Sequence, residues 1–435
     1  MKKHADILVE NGIVITMDED NSMITDGAVA VVGDVIEKIG GTDDFTEWDA
    51  DNRIDAKGGI ILPGLINTHT HAAMTLFRGL ADDLPLMAWL NDHIFPAEAK
   101  LAADHVCSGA YLACAEMILS GTTCFCDMYL FEDAVAEAAH QAFIRAVVGE
   151  VLFDFPSPNY GSWENGLAYS KQLMDKWRDD RLITIAVEPH SPYLCAPALL
   201  KGAAELAHDN DAPLVIHLSE TRAEVDGLLK KVKKTPVAHL ADLGFLSSRL
   251  IAAHCVVLSP ADIDLLKIHD VKVSHNPESN MKLASGIAPI PELLDAGVCV
   301  GLGTDGCSSN NNLDLFCEMD MAAKLHKVNR LDPTVVDARS ALKMATIDAA
   351  RVLGLDHMIG SLEPGKKADI IVVDTRKPHL TPMYNPVSHL VYAASGADVS
   401  HAIIDGRLVM DNRELLVIDA EKAMADVRSI VGAGQ

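Results

Sequence analysis

Over residues 5–60, apolar and polar positions alternate in short segments: Asp6–Val9, Gly12–Met17, Gly27–Val32, Val35–Ile39 and Arg53–Asp55. Gly, Asn and Asp stand between them, and a period of two broken by turn residues predicts a small antiparallel sheet. After Gly59 the rhythm changes. Eight compact apolar runs follow, at Ile60–Leu65, Thr122–Cys126, Ala146–Val148, Thr184–Val187, Leu214–Ile216, Leu250–Ala253, Val271–Val273 and Val298–Gly301. They are rich in β-branched residues and do not alternate, as strands buried on both faces require. Segments of helical period separate them, among them Ala102–Leu119, Glu132–Phe143, Pro197–His208, Ile287–Ala296 and Leu313–Val328. Eight strand–helix units over roughly 250 residues match a closed (β/α)8 barrel of the TIM type. From about Gly360 strand-like runs return, at Ile370–Val373 and Ala402–Ile404. The predicted class is therefore α/β: a (β/α)8 barrel over 60–358, and a small β-sandwich domain built from both chain ends, 1–59 and 359–435. No low-complexity segment or shorter repeat interrupts this plan.

Composition narrows the function classes. The chain has 435 residues, 49% hydrophobic and 23% charged, which is globular make-up. Asp plus Glu number 62 against 36 Lys plus Arg, a formal net charge of -26. Such a surface repels phosphate backbones and anionic lipid heads, so neither nucleic acid nor membrane is an expected partner. None of the nine cysteines forms a C-x-x-C pair, and Cys124 and Cys126 flank a single Phe in an apolar run. An odd number of scattered thiols suits a reducing compartment better than a disulfide framework. The N-terminus leads into alternating sequence, not an apolar signal core, and no uncharged stretch is long enough to span a bilayer. A cytoplasmic, soluble protein is expected, with a homo-oligomer left open.

Candidate chemistry sits where the runs end. His69-Thr70-His71 closes the first run. Residues two apart on a strand point the same way, so both imidazoles can reach one metal. Alone, the pair would read equally well as two surface histidines. But His217 follows the fifth run, His254 the sixth and Asp305 the eighth. Catalytic groups of such barrels come from strand ends. Four separate polar caps on apolar strands would each cost burial free energy unless they serve a common site.

Taken together, these residues resemble the amidohydrolase superfamily, and more narrowly its methylthioadenosine/S-adenosylhomocysteine deaminases. The resemblance covers nearly the whole chain. It is carried by L-P-G-L-I-N-T-H-T-H-A-A-M-T-L-F-R-G-L-A-D-D-L-P-L from Leu62, P-H-S-P-Y-L from Pro189 and H-L-S-E-T from His217. Further on come A-A-H-C from Ala252, S-H-N-P from Ser274, L-G-T-D-G from Leu302 and G-S-L-E-P-G-K-K-A-D-I-I-V-V-D from Gly360. The resemblance implies metal ligands His69, His71, His217 and Asp305. Nitrogen and oxygen donors without thiolate suit a catalytic zinc with an open position, and iron or nickel would suit imidazole too. Two-metal members often carry a lysine at the end of the fourth strand; here that strand ends Val187-Glu188-Pro189-His190, which favours one metal.

What the resemblance implies for catalysis follows from the substrate's chemistry. The amine-bearing carbon of an aminopurine is a poor electrophile until a ring nitrogen is protonated. A metal can lower the pKa of water towards neutrality, and a carboxylic acid must then deliver protons to the ring and to departing ammonia. Glu220, three residues after His217, is assigned that carboxyl, and His254 and Asp305 are assigned the water. A plain helix-start carboxylate is the competing account of Glu220. Glu98 matches the family carboxylate for a ribose diol, His190 the residue that bonds a purine nitrogen, and Trp89 an aromatic near the pocket. Their ordinary alternatives are a helix-start carboxylate, a loop histidine and a core anchor. Members that handle S-adenosylhomocysteine well are expected to hold its carboxylate with arginines after the third strand. Here Glu150 stands in that stretch, where it would repel a carboxylate, no arginine follows until Arg178, and Phe153 and Phe155 suit an apolar methylthio tail. The expected reaction is deamination of methylthioadenosine or adenosine in preference to S-adenosylhomocysteine. The alternatives are another ring (guanine, cytosine or a chlorinated triazine), a non-catalytic scaffold, or a cyclic amide hydrolase, which the absent lysine weakens. The deaminases built on H-x-E with P-C-x-x-C are a different solution, and neither piece occurs here.

Overall fold

The computed structural model describes residues 3–84 and 86–433. Eight parallel strand positions build the centre. They are β1 (Leu65–Thr70), β2 (Thr122–Tyr129), β3 (Arg145–Leu152) and β4, in two pieces (Ile183–Ile185 and Glu188–Pro189), then β5 (Leu214–Leu218), β6 (Leu250–His254), β7 (Lys272–His275) and β8 (Val300–Leu302). Strands β1 to β4 pair in order, as do β5 to β8. The two curled halves meet where Val187 bridges Leu214. On the other side the Asp305 N–H donates to the His69 carbonyl at 3.0 Å. Every residue of β1, β2, β3, β5, β6 and β8 is buried. That burial is the reason for the unbroken apolar runs.

Helices follow the strands and cover the barrel. The one at Pro260–Ile268 shows how local sequence starts them. Ser259 accepts from the Asp262 N–H, Asp262 reaches back to the Ser259 N–H, and Pro260 fills the first turn. No helix among the described residues is long and apolar enough to cross a membrane.

Both chain ends form one nine-stranded sheet that curls on itself, with Val35 bridging Lys367. Its interior holds Ile7, Val29, Ile36, Ile370 and Ile403. Two details differ from expectation. The segment Trp48–Asp55 pairs parallel, not antiparallel, with Lys3–Glu10. The expected first barrel run also splits: Ile60–Pro63 pairs with Ile13–Val14 and with Ile370–Val373 in the terminal sheet, and only Leu65–Thr70 enters the barrel. Ile61 faces the sheet interior while Ile60 and Leu62 face the barrel, so an unbroken apolar run marks a strand shared by two cores. Gly64 makes the crossing. A Cβ there would lie 2.0 Å from Thr123 Oγ1, so only glycine fits.

At the amino-terminal end of the barrel Arg145, the first residue of β3, ties it to the terminal sheet. Its Nε is 3.1 Å from Asp369 and its Nη2 3.2 Å from Asp405. Its Nη1 donates to the Arg181 carbonyl at 3.0 Å.

Candidate active site

At the opposite end, the carboxyl ends of β1, β5, β6 and β8 bring the strand caps together. The His69 ring lies 4.9 Å from His71 and 4.9 Å from His217, centroid to centroid. His254 is 5.6 Å from His69, and His190 is 4.6 Å from His217. Asp305 Oδ1 stands 3.1 Å from His71 Nε2 and 3.7 Å from His69 Nε2. Candidate ligand atoms of His69, His71 and Asp305 lie within 4.8 Å of one another, as do those of His69, His217 and His254. Gly303 lets β8 come this close, since a Cβ there would sit 2.8 Å from the His69 backbone nitrogen.

Each group is oriented from behind. His71 Nδ1 donates to the Met128 carbonyl at 2.5 Å and His217 Nδ1 to the His190 carbonyl at 2.8 Å, leaving each Nε2 free towards the centre. His254 Nδ1 donates to Asn280 Oδ1 at 3.0 Å. Asp305 Oδ2 accepts the hydroxyls of Ser279 (2.6 Å) and Ser309 (2.9 Å), so Oδ1 is the oxygen presented to the imidazoles. The backbone is bent to suit: Ser219, His254 and Asp305 have φ of 54°, 72° and 59°. Non-glycine residues hold such angles at a cost of about 1–3 kcal/mol each, offset by the surrounding structure.

Burial, reinforced by neighbouring imidazoles, holds His69 and His217 well below the ordinary histidine value and lowers His190 to about 3. They are neutral, the form that binds metals. Burial works against the Asp305 charge, but His71 and the other imidazoles hold it well below the usual carboxylate range. His69 is 0% exposed and neither of its nitrogens has a hydrogen-bond partner. An orphaned imidazole at the centre of a nitrogen and oxygen donor set fits a bound divalent cation.

These groups form the floor of a cavity of about 790 Å³, its mouth included. Glu220 lines it, with Oε1 accepting from Ser285 Oγ at 3.2 Å and Oε2 lying 4.0 Å from His254 Nε2. Its position is set from the backbone, because Glu224 accepts the N–H groups of both Ser219 and Glu220. Trp89, Glu98 and His190 line the same cavity. Burial pushes Glu98 up to about 7, with Tyr129 opposing.

Glu150 is a correction. It is fully buried, accepts the Glu132 N–H at 2.9 Å and does not line the cavity. Alternation along the strand explains it: Val151, Phe153 and Phe155 face the cavity, so Glu150, one position out of register, points away. Glu188, at the β4 position considered for a lysine, is also buried behind the cavity, and burial holds its carboxyl well above the usual range. The residues that sequence reasoning passed over are Tyr129, Tyr193, Ser279, Asn280, Ser285 and Ser309. Tyr193 stands inside the quoted P-H-S-P-Y-L, while Ser279 and Asn280 lie just beyond S-H-N-P and Ser309 just beyond L-G-T-D-G.

Comparison with known proteins agrees with this geometry. The model of the amidohydrolase family matches residues 60–409. The chain is 58% identical to a 5-methylthioadenosine/S-adenosylhomocysteine deaminase of Syntrophobacter fumaroxidans, covering 98% of each chain. It is 48% identical to a 5'-deoxyadenosine deaminase of Methanosarcina acetivorans, over 98% of this chain and 97% of that one. Among solved structures, an adenosine deaminase from Xanthomonas campestris with bound zinc superposes with a TM-score of 0.97 at 39% identity, covering 100% of both chains. The chain belongs to the amidohydrolase family.

Proposed function

We propose that this protein hydrolytically deaminates the adenine ring of nucleosides, with methylthioadenosine and adenosine preferred. One observation carries the reading: His69, His71, His217 and Asp305 converge at the floor of the cavity that Glu220, His254, His190 and Glu98 also line.

Zinc is the ion assigned to His69, His71, His217 and Asp305, although iron or nickel would find the same donors. When bound, such an ion supplies Lewis acidity that brings a water molecule's pKa close to neutrality. The remaining work falls to side chains. His254 Nε2 and Asp305 Oδ1 would serve as that water's proton acceptors. Ser285 takes up Glu220 Oε1, so Oε2 is the atom that gives a proton to the ring nitrogen and, reloaded with the proton taken from the water, gives a second to the departing amine. His190 Nδ1, buried and without a partner, matches a purine ring nitrogen. Glu98 presents two acceptor oxygens to a vicinal diol. Nine unpaired cysteines suit a reducing compartment such as the cytoplasm.

The test is loss of adenine absorbance with methylthioadenosine, adenosine and S-adenosylhomocysteine, using wild type and Glu220→Gln. A kcat lower by about 10²- to 10⁴-fold is expected of the variant. Undiminished turnover would remove Glu220 from this role.

A further inference from the structure

Aromatic side chains gather where the cavity opens. Phe153 and Phe155 stack, with 4.0 Å between centroids and 12° between planes. Phe95 meets Phe155 edge-on at 6.3 Å, and Tyr160 backs Phe153 at 6.3 Å. The Tyr160 hydroxyl donates to the Val151 carbonyl at 2.9 Å, so its polar end is satisfied within the wall. Phe153 is 7% exposed and Phe155 43%, so the stack runs from the interior out to the rim. None of the described residues lining the cavity is Lys or Arg. An incoming anionic group would lose water there and find no cation.

Placement follows from a short helix. Phe95 and Glu98 are the two ends of the helix Phe95–Glu98, and both line the cavity. We propose that a sugar held at Glu98, with its base towards the histidine floor, turns its 5' substituent to this wall, and that Phe95, Phe153 and Phe155 form a subsite for uncharged, apolar 5' substituents. Alkyl and thioether nucleosides are then favoured, and those ending in carboxylate or phosphate are rejected. The proposal rests on the deaminase reading. Each methylene withdrawn from water against the rings contributes about a fourfold gain in kcat/KM.

The experiment compares kcat/KM of the metal-loaded enzyme for adenosine and its 5'-deoxy, 5'-methylthio, 5'-propylthio and 5'-phosphate derivatives, and for S-adenosylhomocysteine. The propylthio compound is expected to equal or exceed the methylthio compound, by up to about 15-fold. S-adenosylhomocysteine and the phosphate should fall at least about 100-fold below it. Phe155→Ala should lower the ratio of methylthioadenosine to adenosine about fivefold, with thermal melting as the check on folding. Phe155→Arg should raise S-adenosylhomocysteine relative to methylthioadenosine. Turnover of adenosine with equal rates for charged and apolar tails, or with a ratio unmoved by Phe155→Ala, overturns the subsite alone. No turnover of any adenine nucleoside sinks the deaminase reading and the subsite with it.

Discussion

At the amino-terminal end of the barrel Arg145 is sealed between Asp369 and Asp405, and all three of its guanidinium nitrogens have partners. At the carboxyl end His69 is sealed more deeply still, and neither of its nitrogens has one. Both arrangements cost desolvation. The first recovers it by pairing charge with charge inside the protein, which holds two layers together. The second recovers it only when something enters the site. Behind the cavity, Glu132 and Glu188 show a third solution: burial holds both carboxyls well above their usual range, so they stay uncharged. A buried ionisable group therefore says little until its partners are counted. Orphaned donors and acceptors that converge on a cavity mark the working end.

The contrast can be broken at either end. The largest effect is expected from Asp305→Ala, which should lower kcat/KM by about 10⁴-fold or more and drop bound metal well below one ion per chain, with both read on the same preparation. A variant that keeps its metal would contradict the ligand assignment. Arg145→Met acts at the other end. It leaves the buried Asp369 carboxylate without its cation, Asp405 keeping Arg181 at 3.0 Å, and should cost about 3–5 kcal/mol in urea unfolding, while KM of the surviving folded enzyme stays put. A changed KM would show that the clamp is not merely structural.

A smaller effect should appear in the pH dependence of stability. Burial lowers His326 to about 4, and its Nε2 lies 3.1 Å from His275 Nε2, itself held well below its ordinary value by burial. The unfolded chain binds protons at higher pH than the folded one, so stability should fall as pH drops from 6.5 towards 4. The loss at His326 would be at most about 3 kcal/mol. Urea midpoints at pH 4.5 and 7 check this, and His326→Asn should flatten the difference. Smallest of all, Ser309→Ala frees Asp305 Oδ2 from one of its two hydroxyls and should weaken metal retention against a chelator by about 10- to 100-fold. Unchanged retention would confine Ser309 to packing.

Much of the working end was readable before any coordinates. His69, His71, His217, His254 and Asp305 are polar residues on apolar strand ends, and burial cost alone argues that such residues share a purpose. Arg145 was not readable, because its carboxylate partners lie more than 200 positions away and nothing local to β3 announces them. Glu150 was misplaced for a different reason. The stretch read as a loop begins inside β3, where a shift of one position along the strand reverses the side chain. The run at Ile60–Leu65 was assigned whole to the barrel because a strand shared by two cores and a barrel strand present the same unbroken apolar pattern.

The sequence by itself determined the strand and helix rhythm, the ligand-type residues at strand ends and their likeness to a deaminase, since periodicity and residue chemistry are local properties. Only the tertiary structure decided which oxygen of Asp305 faces the imidazoles, that Ser285 holds Glu220, that Phe95 joins Phe153 and Phe155 at the mouth, and that Glu150 lies behind the wall. Those are facts of direction and distance between segments far apart in the chain, and they exist only once the barrel has curled to bring its strand ends together.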